Sequence, residues 1–195
     1  MTSSSTPIST IEAINQRASV RSYTPERVDQ ATIRALLLAA VRAPTSMNED
    51  PRAFSIIQDV DALKQLSDRA KPFLIEEIQR AHLERGGHPL SYFASPEFNL
   101  FYNANTLIVI CGKSAVRFST AECWLAAENL MLAACSMGLG SSVIGSAVSA
   151  LNDPEIKSRI GITLEMMAIV PIIVGVPDKP VVPGRRKDPH ILYWK

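Results

Sequence analysis

Ser119-Thr-Ala-Glu-Cys-Trp-Leu-Ala-Ala-Glu-Asn-Leu-Met-Leu-Ala-Ala-Cys-Ser-Met-Gly-Leu-Gly-Ser-Ser-Val-Ile-Gly-Ser146 is the stretch on which the fold assignment turns. Cys123, Trp124, Leu125, Ala126, Ala127, Leu130, Met131, Leu132 and Ala134 leave no wide polar face on a helix. A helix of that kind lies in a core or a subunit interface. Ser119, with Glu122 three residues on, reads as its N-cap, and the helix runs to about Met137 as the longest in the chain. Gly138-Leu-Gly140 then closes it as a C-cap, and residues 141–144 read as a short strand.

Outward from this core the elements alternate. Ser9-Thr-Ile-Glu12 has capping-box spacing and opens a short helix, and Thr24-Pro25 breaks the chain. A second helix is predicted over residues 29–42, with Ile33, Leu36, Leu37, Ala40 and Val41 on one stripe and Pro44 ending it. Residues 53–58 form a short β-type run, two helical stretches cover 61–85, and Gly86-Gly-His-Pro89 stops them. Residues 91–103 read as irregular, a lid or an extra helical turn. Residues 106–111 are a buried strand, 167–174 another, and a short helix from Pro154 lies between the last two strands. Helices and strands in this order predict a mixed sheet with helices on both faces. Residues 1–8 read as a disordered lead. Residues 9–195 form one domain, whose proline-bearing arm begins at about residue 177.

Composition narrows the function. Apolar residues make up 47% of the 195 and charged residues 20%, too apolar for a disordered chain and low enough in charge to suggest burial against a partner, such as a second copy. The net charge of +1 gives no field to recruit nucleic acid. It is uneven, since Lys179, Arg185, Arg186, Lys187 and Lys195 against Asp178 and Asp188 give the last 20 residues +3 and leave −2 on the rest. A small basic tail suits a small anion. No apolar run approaches the roughly 20 residues of a membrane helix, and the N-terminus lacks the features of a secretory signal. Cys111, Cys123 and Cys135 have no C-x-x-C spacing and sit among apolar neighbours, which predicts buried thiols in a reducing cytosol.

The usual catalytic signatures are missing. The chain has no nucleophile elbow, no Walker sequence and no G-x-G-x-x-G after a strand, and its acids have no metal-ligand spacing. His82, His88 and His190 are scattered. Neither a catalytic side chain nor a metal is expected, so an enzyme of this composition must borrow its reactivity from an organic cofactor. Three polar segments are left over from packing. They are Arg17-Ala-Ser-Val-Arg21, the Thr/Ser/Asn-rich loop Ala43-Pro-Thr-Ser-Met-Asn-Glu-Asp-Pro51, and Gly138–Ser146 with the Arg185-Arg186-Lys187 tail.

In this order and spacing, the segments resemble the nitroreductase family of FMN-dependent oxidoreductases. The family's R-x-S-x-R-x-F/Y opening is similar to Arg17-Ala-Ser19-Val-Arg21-Ser-Tyr23, and its A-P-S-x-x-N-x-Q-P-W-x-F segment resembles Ala43-Pro44-Thr45-Ser46-Met47-Asn48-Glu49-Asp50-Pro51-Arg52-Ala53-Phe54. Its aromatic segment and central strand resemble residues 98–110, and its G-L-G-x-x-W-I-G-G turn resembles Gly138-Leu-Gly-Ser-Ser-Val-Ile-Gly-Ser146. The likeness runs from about Ile11 to Trp194. Asp50 and Arg52 replace the family's Gln and Trp, and the final turn reads Val143-Ile-Gly-Ser146.

The resemblance implies an α+β (mixed α/β) fold with a central, mostly antiparallel sheet flanked by helices, assembled as an interlocked homodimer with FMN in the groove between subunits. It implies that Arg17 and Arg21 hold the phosphate and the ribityl or pyrimidine edge, with Ala18 beside them and Ser19 adding a hydrogen bond. Arg186, or its neighbour Arg185, would close over the phosphate from the arm. Pro44, Thr45, Ser46 and Asn48 would approach the ring from the other subunit, and Ile144, Gly145 and Ser146 would bring backbone N–H groups to flavin N5. The implied reaction is ping-pong hydride transfer from NAD(P)H to an electron-poor acceptor such as a nitroaromatic or quinone. Two other readings keep different amounts of this: a flavoprotein that dispenses with nicotinamide, and a dimeric binding module without catalysis.

Overall fold

A computed structural model describes residues 8–46, 52–80 and 90–195. Asn48, Glu49, Asp50, His82, His88, the expected helix stop at residues 86–89, and all of the expected lead except Ile8 lie outside the described residues.

The sheet is built on two long strands, β2 (Thr106–Lys113) and β4 (Met166–Gly175), paired antiparallel. Strands β1 (Arg52–Ile57) and β3 (Gly140–Val143) flank them, giving the order β1-β2-β4-β3. All three ladders are antiparallel; among the described residues the parallel pairing is confined to a single bridge, Ser19 to Ser141. The α+β class expected from the sequence is the one observed.

Side chains of β2 alternate between two cores. Leu107, Val109 and Cys111 join Leu63, Leu66, Leu74, Phe93 and Phe101, while Ile108 and Ile110 join Ile33, Leu36, Ala126 and Leu130. The first face is covered by α3 (Val60–Arg80) and α4 (Leu90–Ala94), the second by α2 (Gln30–Ala40) and α5 (Ser119–Ser136). With both faces covered, β2 reads as an unbroken apolar run, a pattern more usual in parallel sheets. The remaining helices are short: α1 (Thr10–Gln16), α6 (Val148–Leu151) and α7 (Pro154–Arg159).

Local chemistry explains most boundaries. Ser9 caps α1 through the reciprocal Ser9–Glu12 box, and the Asp29 carboxylate caps α2 by accepting from the Thr32 N–H at 2.8 Å. At the end of α5 the Leu139 N–H donates to the Ala134 carbonyl and the Gly138 N–H to that of Cys135, a Schellman closure with Gly138 at φ 75°.

Two expectations need correction. The two helical stretches after residue 60 are one helix of 21 residues that passes through Pro72, so α3 and not the 18-residue α5 is the longest. Leu63, Leu66, Ala70, Leu74 and Ile78 continue one buried stripe across the proline, and that burial offsets the lost backbone hydrogen bond. Ser119 is not a cap: Phe118 holds that position, and Ser119 turns inward, its hydroxyl buried without a partner among the described residues. Residues 91–103 take the helical-turn alternative, opening on α4 and continuing in turns. Phe93, Leu100 and Phe101 are buried, and the segment is tied to α3 where the Leu100 N–H donates to Ser67 Oγ at 2.8 Å and Lys71 Nζ to the Ser95 carbonyl at 2.9 Å.

Cys111 and Cys123 are buried and Cys135 is half-buried. Burial pushes the Cys111 thiol up to about 11, with the Lys157 ammonium pulling weakly the other way. The Cys135 thiol is also raised by burial, against a smaller opposing pull from Arg17. Among the described residues no helix is long and apolar enough to cross a membrane.

Two outcomes follow from this packing. A Cβ at Gly140 would lie 2.8 Å from Cβ, Cγ1 and Cγ2 of Val20. Gly140→Ala should therefore destabilise the protein by about 1–3 kcal/mol, read as a lower urea midpoint, and Val20→Ala in the same chain should restore part of it. Raised pKa values keep thiols protonated and unreactive below them. Access then separates them: at pH 8 a disulfide reagent should modify half-buried Cys135 slowly in the native protein, and buried Cys111 and Cys123 only after denaturation.

Candidate functional site

The first polar segment leaves α1 at once. Arg17 is the C-cap of that helix, and the chain beyond it runs extended along the edge of the sheet. The Val20 N–H donates to the Ser141 carbonyl at 3.0 Å, the Thr24 N–H to that of Val176 at 2.9 Å, and the Asp178 N–H to that of Ser22 at 3.1 Å. Tyr23 locks the segment: its hydroxyl donates to the Val20 carbonyl at 2.6 Å, its ring packs on Gly175, and burial holds its pKa well above the ordinary phenol. The segment after α1 and the start of the C-terminal arm thus meet beside β3 and β4.

An extended chain sends alternate side chains to opposite sides. Ala18 and Val20 are half-buried, whereas Ser19 and Arg21 are exposed. Ala18 and Val20 line a groove of about 270 Å³ with Arg17, Gly138, Gly140 and Ser141, closed on its far side by Val181 and Pro183 of the C-terminal arm. Of the sequence candidates, the groove therefore takes Arg17 and Ala18, not Ser19 or Arg21. Arg17 Nε lies 3.7 Å from Glu128 Oε1, a partly solvated pair of the sort worth about 0–1 kcal/mol. The Arg21 guanidinium sits over the Tyr102 ring, 5.8 Å from its centre. Arg185 and Arg186 follow Pro183 along the arm and are exposed.

Strand β3 leads away from the groove to the next candidates. Ile144 is buried and its N–H donates to the Pro171 carbonyl at 2.9 Å. Gly145 and Ser146 open a 3-10 turn (Gly145–Ala147) that no side chain caps. The first N–H groups of such a turn have no partner inside it.

The third segment lies elsewhere. Pro44 is exposed, Thr45 and Ser46 are half-buried, and Ser46 donates from both its N–H and its hydroxyl to Glu122 Oε1, each at 2.7 Å. Glu122 stands in the first turn of α5 and Cys135, in the groove, near its end. Thirteen residues at 1.5 Å each put about 20 Å of helix between them. Within one chain, residues 44–46 and the Arg17 groove occupy opposite ends of α5.

Several contributors were not singled out from the sequence. Glu122, read as half of a capping pair, is a buried carboxylate anchoring the loop; an acid inside a helix apolar on every other side was the available signal. Arg52 points back at the end of α2, its Nη1 and Nη2 donating to the carbonyls of Ala40, Val41 and Ala43 at 3.3–3.5 Å. Cys135, Val181 and Pro183 enter the groove through tertiary contact alone. Among the described residues, no group of three or more His, Cys, Asp or Glu could hold a metal ion.

Comparison with known proteins agrees with this architecture. The profile of the nitroreductase family matches residues 14–175. A protein of Methanothermobacter thermautotrophicus, provisionally named NADH dehydrogenase/NAD(P)H nitroreductase, is 26% identical over 195 aligned positions, covering 94% of this chain and 87% of its own. A nitroreductase of Bacteroides fragilis solved with bound FMN superposes with a TM-score of 0.80 at 21% identity, over 95% of this chain and 97% of that one. Oxidized iodotyrosine deiodinase, bound to FMN and 3-iodo-L-tyrosine, superposes with a TM-score of 0.75 at 21% identity, over 96% and 100% of the two chains. With the profile spanning most of its length, the chain belongs to the nitroreductase family.

Proposed function

We propose that the protein is an FMN-dependent oxidoreductase that works as a homodimer in the cytoplasm and uses NAD(P)H to reduce an electron-poor acceptor, a nitroaromatic, a quinone or a similar compound. The observation that carries this reading is the meeting of Arg17, the turn into β3 and the C-terminal arm around one groove. The residues present fit the cofactor in their chemistry. Arginine forks suit a phosphate, and the uncapped N–H groups of Gly145 and Ser146 suit a flat ligand edged with acceptors.

The chemistry supplied by bound FMN is hydride transfer through its N5, from NAD(P)H to the acceptor in alternate half-reactions. The chain's own part is to bind and orient. Arg17, with Arg186 or Arg185 from the arm, would hold the phosphate, and the weak pair with Glu128 gives way readily to a dianion. Arg21 would hold the ribityl or pyrimidine edge, with Ser19 beside it, and a fixed cation there favours negative charge developing on the ligand. Charged hydrogen bonds of about 1.5–3 kcal/mol each from three arginines total roughly 5–9 kcal/mol gross. Micromolar binding needs about 8 kcal/mol after ordering costs, so burial of the ring must supply the remainder.

Two observations support the dimer. Residues 44–46 lie about 20 Å along α5 from the groove, so a second copy is needed to bring Pro44, Thr45, Ser46 and Asn48 to the same ligand. Large apolar side chains are also exposed, among them Trp124 and Leu125 on α5, Ile11 and Ile14 on α1, and Ile191, Leu192, Tyr193 and Trp194 on the arm. A monomer would leave that surface in water.

The deiodinase-like neighbour favours one competing reading, a flavoprotein without a nicotinamide donor. Anaerobic titration separates the two. A yellow protein bleached by NADH or NADPH is expected; a yellow protein that stays oxidised points to the competitor, and a colourless one that cannot be reconstituted with FMN leaves only a binding module. In the same assay Arg21→Ala should weaken FMN binding by roughly ten- to a hundredfold. Unchanged affinity in that variant removes Arg21 from the site.

A further inference from the structure

Residues 43–46 are held at each end by a buried ionisable side chain, Arg52 at one and Glu122 at the other. At the near end the Arg52 guanidinium, on the first residue of β1, donates to the carbonyls of Ala40, Val41 and Ala43. The last carbonyls of a helix have no partner within it and carry partial negative charge, so a planar cation is well matched to that position. At the far end Glu122 Oε1 takes both the N–H and the hydroxyl of Ser46 at 2.7 Å. Both side chains are withdrawn from water, Arg52 to 9% and Glu122 to 3% exposure, which strengthens the contacts and makes their loss costly. The two holding groups come from different elements, β1 and α5, each fixed in the core.

We propose that Arg52 and Glu122 are positioning residues that hold residues 43–46 in one shape, so that Thr45 and Ser46 meet FMN already ordered. The inference rests on the function proposed above and assigns a role to this chain's own Arg at the place where the family motif has Trp. A Trp at position 52 has one N–H to offer, whereas the guanidinium reaches the carbonyls of Ala40, Val41 and Ala43 together, and the loop gains a polar anchor. The Ser46 hydroxyl is committed as well. Its single proton goes to Glu122, so toward a ligand it offers lone pairs only and selects a donor, leaving Thr45 as the hydroxyl able to donate. Loop order established before binding spares the ligand the cost of imposing it.

The test uses full-length protein and two readouts. Hydrogen exchange at the Ser46 amide in flavin-free protein reports the anchor itself, and fluorescence titration with FMN reports its consequence. Glu122→Gln and Arg52→Met should each speed Ser46 exchange and weaken FMN binding tenfold or more. The double variant should bind within about threefold of the worse single, because freeing either end already frees the loop. FMN affinities within twofold of wild type, or penalties that multiply in the double variant, overturn the inference, as does a wild-type Ser46 amide exchanging at the rate of an unstructured peptide. Wild-type protein that takes up no FMN instead overturns the functional reading beneath it. Should Arg52→Met fail to fold, Arg52→Lys, which keeps the charge without the fork, and Ser46→Ala, which deletes one of the two bonds to Glu122, are expected to show the same two effects in weaker form.

Discussion

Burial of the β2–β4 pair on both faces is the constraint from which the rest follows. Leu107, Ile108, Val109 and Ile110 on one strand and Val170, Ile172, Ile173 and Val174 on the other are removed from water completely. At roughly 25 cal/mol per Å² of apolar surface, such residues dominate the favourable side of folding. Covering both faces needs helices on both sides, and α3 and α5 are the two longest in the chain. Everything polar is then driven to the sheet's edges and to the ends of its strands. The groove lies beside edge strand β3, and the loop held by Arg52 lies where edge strand β1 begins.

The second constraint is lateral. Residues 22–24 and 176–178 come together through backbone bonds, so the segment after α1 and the start of the C-terminal arm are neighbours. Val20 packs against the bare backbone at Gly140 with no space between them. The shape of the groove therefore depends on backbone pairing more than on the side chains that line it, which makes it a rigid place to present Arg17.

Much of this was legible in the sequence. Short apolar runs marked the four described strands, a 3.6-residue stripe marked α2 with its start at Asp29, and the Ser9–Glu12 box fell where its chemistry required. Legibility failed where a local rule met a tertiary one. Pro72 is a helix breaker by itself, yet the stripe from Leu63 to Ile78 keeps α3 intact. Ser119 has the right spacing for a cap, yet it is turned into the core. At the site, the grouping of Arg17, Ser19 and Arg21 came from the family resemblance, and of the motif residues Arg17 and Ala18 line the groove. Arg17 closes α1, while Ser19 and Arg21 are exposed on the extended stretch beyond it. Arg52 and Glu122 were invisible as anchors, since their partners are a backbone turn and a loop that no sequence pattern names.

The two cores have an evolutionary corollary. They lie on opposite faces of a single sheet, so Leu107 and Ile108, neighbours on one strand, belong to different clusters. Costs of substitution at well-separated positions with no shared partner combine nearly additively. The α2–α5 side, which borders the loop and the groove, can thus drift in sequence while the α3–α4 side retains its optimum. Such separability lets a scaffold explore new chemistry without risking the whole of its thermodynamic margin at once.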